Sequence, residues 1–129
     1  MLAIDTNVLV RYLVGDHLEQ SARAKRLIER EDAFVATTVL LEAEWVLRSV
    51  YGYEAHALAN ALTAFAGLQN VTLEDPAAAA RALQWMKAGL DFADALHLAK
   101  AQGCTAFVTF DRNFARRAAS LESVTVRAI

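Results

Sequence analysis

The 129 residues suit one domain, long enough to bury a real core. A net charge of −2 excludes the strongly basic balance of a protein that coats DNA or RNA, though not a local basic patch. The single cysteine, Cys104, excludes an internal disulfide and points to a reducing compartment, with a small buried hydrophobe as its default role.

The hydrophobic share of 56% is high for a globular chain. Much of it is alanine and leucine, as expected of closely packed helices or of an apolar surface covered by a partner. No uncharged apolar run is long enough to span a bilayer, and Asp5 arrives too early for a signal-peptide core. The expectation is a soluble cytoplasmic protein.

In chain order, Leu2–Ile4 reads as a short buried strand closed by Asp5-Thr6-Asn7. Val8–Val14 reads as a helix stopped at Gly15, and Glu19–Arg30 as a second helix. Ala33–Ala36 is a strand, after which Thr37 or Thr38 can cap a helix running through Glu42 and Trp45 until Gly52. Glu54–Leu68 is an alanine-rich helix, and Val71–Leu73 a strand. Asp75-Pro76 opens a helix continuing to Ala88. Asp91 caps another over Phe92–Gln102, with Gly103 beyond its end. Thr105–Phe110 is a strand, Phe114–Ala119 a short helix, and Val124–Val126 the last strand. Strands alternating with helices throughout predict a single α/β domain over residues 1–129, with four or five short parallel strands covered on both faces.

Four acidic residues fall where this layout places strand ends or helix starts. Asp5 and Asp111 each end an apolar strand. Glu42 lies early in the helix after the second strand, and Asp94 in the first turn of the helix from Phe92. In open α/β sheets, ligands bind beyond the carboxyl ends of the strands. An oxygen-lined pocket there suits a hard cation such as Mg²⁺ or Mn²⁺. Each acid also has a plainer use: Asp5 and Asp111 as helix caps, and Asp91 with Asp94 as a capping arrangement. Glu42 is preferred to Glu44 because the two project about 200° apart on a helix, and Glu44 stands four residues before Arg48, as in an exposed ion pair.

The stretches Ile4-Asp5-Thr6-Asn7-Val8-Leu9, Leu40 to Arg48 around Glu42, Asp91-Phe92-Ala93-Asp94-Ala95-Leu96-His97 and Val108-Thr109-Phe110-Asp111-Arg112-Asn113-Phe114 stand in the order and spacing of the PIN domain. Over its full length the chain resembles the VapC toxins of bacterial toxin–antitoxin pairs. That resemblance implies a three-layer α/β/α fold and a metal-dependent endoribonuclease inhibited by a VapB-type antitoxin. It assigns Asp5, Glu42, Asp94 and Asp111 as the catalytic and Mg²⁺-binding acids, with Mn²⁺ able to substitute. Asn7 and Thr109 match the polar residues that orient acids or waters. Asn113 stands where many relatives carry a further acid, which places a second metal site in doubt.

The chemistry that follows is in-line hydrolysis of an RNA backbone by water, leaving a 5′-phosphate and a 3′-hydroxyl. His97 is read as a helix residue and not a ligand, and His17 and His56 as surface residues. Arg112, Arg116 and Arg117 follow Asp111, and Arg11 follows Asp5; these could hold substrate phosphates or merely line solvated helix faces. Apolar residues around Trp45, Val46 and Leu47, or Leu58, Leu62 and Phe65, suit a homodimer, an antitoxin segment or plain core packing. Two rivals are another Mg²⁺-dependent phosphoesterase and a catalytically weak or inactive binding module. The first lacks the second acid of an Asp-x-Asp phosphatase motif, since Asn7 stands there. The second is opposed by the presence of all four acids.

Overall fold

The computed structural model describes residues 1–129 and contains seven helices and five strands. The chain divides into two compact units, Met1–Pro76 and Ala77–Ile129. All strand pairs in both are parallel, as an alternating α/β chain predicts.

The first unit holds strands β1 (Leu2–Ala3), β2 (Ala33–Val35) and β3 (Val71–Leu73) in the sheet order β1-β2-β3. Its helices are α1 (Thr6–Val14), α2 (Leu18–Arg30), α3 (Thr37–Ser49) and α4 (Ala55–Ala66). β2 is central, with Ala33 and Val35 fully buried and in register with Val71 and Leu73. β1 is shorter and more open than its apolar run predicts. It lies at the edge of this sheet and leaves Leu2 47% exposed, so only Ile4 is buried. Parallel pairing nevertheless fixes its direction, with the Ile4 amide donating to the Phe34 carbonyl at 3.0 Å. Asp5 therefore leaves the carboxyl end of its strand, as α3 leaves that of β2.

The core of this unit comes from one face of each helix. Leu9 and Val10 of α1, Leu40 and Leu47 of α3, and Leu58, Leu62 and Phe65 of α4 are all buried. Leu47, Leu58, Leu62 and Phe65 are therefore core residues, not surplus surface, and of the apolar residues considered for a partner Trp45 stands out, 55% exposed. Tyr12 meets Phe65 edge-on at 5.5 Å between ring centres, a favoured aromatic geometry.

Two helix starts are capped by residues that sequence alone gives no reason to select. His17 Nδ1 accepts from the Gln20 amide at the start of α2. The Glu54 carboxylate accepts from the His56 and Ala57 amides at the start of α4. Those two backbone hydrogen bonds hold the Glu54 carboxyl below its ordinary value of 4.5. A depressed carboxyl contributes stability above its unfolded pKa and loses it as pH falls through its folded pKa. Glu54→Ala is accordingly expected to lower the melting temperature at pH 7, with the difference from wild type closing below the ordinary glutamate range. Thermal melts across pH at low salt measure this, since an exposed carboxylate is screened.

The second unit holds α5, which begins at Pro76 and ends at Lys87, then α6 (Phe92–Ala99), β4 (Phe107–Thr109), α7 (Arg112–Ala118) and β5 (Val126–Ala128). β4 and β5 pair with Phe107 opposite Val126 and Thr109 opposite Ala128. α6 stops three residues before its apolar pattern does. Its end at Lys100 is followed by turn bonds from Ala101 to the Leu98 carbonyl and from Cys104 to the Ala101 carbonyl, with Gly103 at φ 87°. Cys104 falls on this turn and is exposed, so it is not the buried hydrophobe its neighbours predict. No helix in the chain is long and apolar enough to cross a membrane.

Candidate functional site

In the first unit, Asp5 is the N-cap of α1: its Oδ1 accepts from the Thr6 amide at 2.8 Å. The same element places the buried Thr6 hydroxyl against α3, where it donates to Glu42 Oε1. One residue after the strand-end acid thus holds the carboxylate of a second acid, 36 positions along the chain. Sequence alone gives Thr6 no such role, because a hydroxyl in the first turn of a helix ordinarily serves that helix. Only the spatial pairing of α1 with α3 reveals its partner.

Glu42 and Glu44 separate as their helical phase requires. Glu42 is exposed and meets Thr6. Glu44 is buried to 1% exposure and receives the Arg48 guanidinium, with Nε 2.9 Å from Oε2 and Nη2 3.4 Å from Oε1. The Glu44–Arg48 pair is therefore part of the packing, not the exposed bridge its spacing suggests. Asn7 is exposed and lines a groove between α1 and α2 with Arg11, Gln20 and Arg23. Arg11 is held within a local network: Nε donates to Gln20 at 2.9 Å, Nη1 donates to the Tyr51 hydroxyl at 2.9 Å, and Asp16 lies 3.5 Å away.

In the second unit, a cavity of about 240 Å³ is lined by Asp91, Asp94, Asp111, Asn113, Phe114 and Arg117, with Leu90 beside them. Asp91 caps α6 by accepting from the Asp94 amide at 3.3 Å. This leaves the Asp94 side chain, half-buried in the first turn, to face the cavity. Asp111 caps α7, its Oδ1 accepting from the Phe114 amide at 3.0 Å. Its own amide donates to Thr109 Oγ1 at 3.0 Å, so Thr109 fixes the turn that presents it. For Asp5 and Asp111, capping and a place at the carboxyl end of a strand go together; the two readings are not exclusive.

Asp94 titrates above its ordinary value of 3.8. Burial is the largest cause, followed by the negative charges of Asp91 and then Asp111, with His97 pulling weakly the other way. Crowded carboxylates in a partly dry pocket disfavour ionisation, and a cation placed among them would reverse that cost. The donors are all hard oxygens, which fit Mg²⁺ or Mn²⁺ in preference to a thiolate-seeking metal. Neither unit by itself gathers three acidic, histidine or cysteine side chains into a tight cage. A Mg²⁺ ion keeping several of its waters does not need one.

The profile of the PIN domain matches residues 2–120, which covers β1 through α7 and runs across both units. The chain belongs to the PIN domain family. PIN domains are generally nucleases that use divalent metal ions. No curated protein matches this chain. Within the PIN domain, Asp5, Glu42, Asp94 and Asp111 sit on α1, α3, α6 and α7 at or just past strand ends or in early helical turns. Of the arginines considered for phosphate contact, Arg116 is tied to Asn113 Oδ1 at 2.6 Å and Arg112 is exposed. The arginine that lines the acidic cavity is Arg117.

Proposed function

We propose that this PIN domain is a Mg²⁺-dependent endoribonuclease, the toxin of a VapC-like toxin–antitoxin pair, in which Asp5, Glu42, Asp94 and Asp111 hold the metal. The observation that carries this is Asp94, half-buried beside Asp91 and Asp111 and pushed toward its protonated form first by burial and then by those two charges. An enzyme bears such a cost where function needs crowded charge. A Mg²⁺ bound by these acids would supply positive charge to polarise a backbone phosphate and to favour hydroxide over water for in-line hydrolysis. The protein's own part is placement. Thr6 holds Glu42 in one orientation, Thr109 holds the turn at Asp111, and Asp91 secures the α6 amide so that Asp94 remains available. The family match across both units supports reading residues 1–129 as one functional domain.

The exposed face of α3 supports inhibition by a partner. Glu42 and the 55% exposed Trp45 stand three residues apart, hence on one face. An apolar segment of a VapB-type antitoxin seated on Trp45 would lie beside a catalytic acid. A homodimer and a cytoplasmic location complete this reading.

The test is cleavage of a structured RNA with Mg²⁺, with chelator, and by Asp5→Asn. Wild-type cleavage that disappears with chelator and falls at least about 10²-fold in the variant is expected. Equal cleavage by Asp5→Asn would assign the activity to a contaminant and remove the site. Growth arrest on expression, relieved by the product of an adjacent reading frame, tests the toxin role.

A further inference from the structure

The acidic cavity of the second unit is lined by one arginine. Arg117 lines the cavity with Asp91, Asp94 and Asp111, and no ion pair joins it to Asp94 or Asp111. Its hydrogen bond goes elsewhere, from Nη1 to the Gly89 carbonyl at 3.0 Å, in the turn between α5 and α6. A guanidinium has five N–H donors in a rigid fork, so one donor is used for anchoring and four remain. Neighbouring arginines on α7 are placed differently. Arg116 is bound to Asn113, and Arg112 does not line this cavity.

A phosphodiester approaching three carboxylates meets repulsion that bound metal offsets only in part. A tethered guanidinium at the same wall supplies positive charge without the entropy of ordering a free side chain. Arginine also matches the paired oxygens of a phosphate, through two parallel N–H donors. Tethering to a backbone carbonyl is what separates Arg117 from an arginine on a solvated helix face.

We propose that Arg117 is a substrate-binding residue of this site, contacting a backbone phosphate of single-stranded RNA while its bond to Gly89 holds the guanidinium at the cavity wall. The proposal rests on the ribonuclease reading above for its substrate, but its test reads binding and not cleavage. The plainer role is structural: an arginine of α7 satisfying a carbonyl in the turn that follows α5.

The experiment uses the full chain carrying Asp5→Asn, so that the RNA is not cleaved during the measurement, with a fluorescent mixed-sequence 12-nucleotide RNA in Mg²⁺. Binding is followed by anisotropy between about 50 and 200 mM salt. Arg117→Gln removes the charge while keeping a shorter polar side chain; Arg117→Lys retains the charge and loses the fork. Arg117→Gln is expected to weaken binding about tenfold. It should also reduce the slope of log affinity against log salt by about 0.7, the signature of one lost phosphate contact on a single strand. Arg117→Lys is expected to keep the slope and lose affinity several-fold. A lower melting temperature for Arg117→Gln with unchanged affinity and slope overturns the proposal in favour of the structural role. Unchanged affinity, slope and melting temperature, or no RNA binding by the parent, overturn it as well. Arg117-dependent binding by a chain whose Asp5 form shows no Mg²⁺-dependent cleavage would keep this proposal and remove the nuclease reading.

Discussion

Asp94→Asn is expected to reduce RNA cleavage about 10³-fold and, at the same time, to raise the melting temperature of the metal-free protein. The two effects have one cause. Asp94 is half-buried beside Asp91 and Asp111, and its carboxyl titrates above the ordinary value of 3.8. With the folded pKa above the unfolded one, the native state binds the extra proton between them, so stability falls as pH rises through that window. Well below pH 3.8 both states are protonated and the asparagine variant has no advantage. Above the folded pKa the wild type carries the full penalty, and the variant melts at a higher temperature by a constant margin. Added Mg²⁺ should narrow or reverse this margin, because the cation stabilises wild type and gains little from the amide. A loss of 10³ in rate corresponds to about 4 kcal/mol of transition-state stabilisation, within what a metal's charge supplies. Melts from pH 3 to pH 8, with and without chelator, together with single-turnover cleavage, test both halves. An inactive variant that melts below wild type at neutral pH would show Asp94 to be a structural residue.

Much of this arrangement is legible in the sequence because it follows from local rules. An acid directly after an apolar run, as at Asp5 and Asp111, marks a strand end whether or not the acid also caps a helix. β3 matches its predicted span, Val71–Leu73, since short β-rich runs between helix breakers leave little freedom. α5 starts where Asp75-Pro76 predicts. That Glu44 pairs with Arg48 while Glu42 faces elsewhere follows from helical phase and spacing alone.

Other features depend on partners distant in sequence. β5 starts at Val126, two residues after its predicted start at Val124, because its register is set by pairing with Phe107–Thr109, which no local pattern specifies. Thr6 acquires its role from α3, and Glu54 caps α4 although glutamate is a poor predictor of a cap. Arg117, and not Arg116, lines the cavity, a difference of about 100° around a seven-residue helix whose start the sequence places two residues late. The positions of the candidate acids in the fold are thus readable from residue type and place along the chain. The side chains that orient it are readable only from packing.

Arg48→Met is expected to cost about 3 kcal/mol of stability, a larger loss than Glu44→Gln at the other end of the same bond. Glu44 is 1% exposed on the buried face of α3, and Arg48 Nε and Nη2 donate hydrogen bonds to its carboxylate. Removing the arginine leaves a carboxylate in an apolar setting without compensation, the costly way to break a buried pair. Removing the carboxylate instead leaves a guanidinium whose side chain is already 40% exposed and can turn to water. That exposure sets the estimate for Arg48→Met at the low end of the range for buried pairs. A shift of roughly 10 °C in melting temperature would report it for a chain of this size. The double variant Glu44→Leu with Arg48→Met should recover most of the loss, because burying an apolar side chain on α3 carries no desolvation cost. Denaturant melts of the two single variants and the double variant test the asymmetry. Equal losses at both ends would make the pair a simple sum of contacts, and a double variant no better than Arg48→Met would place the cost in lost packing around the arginine stem.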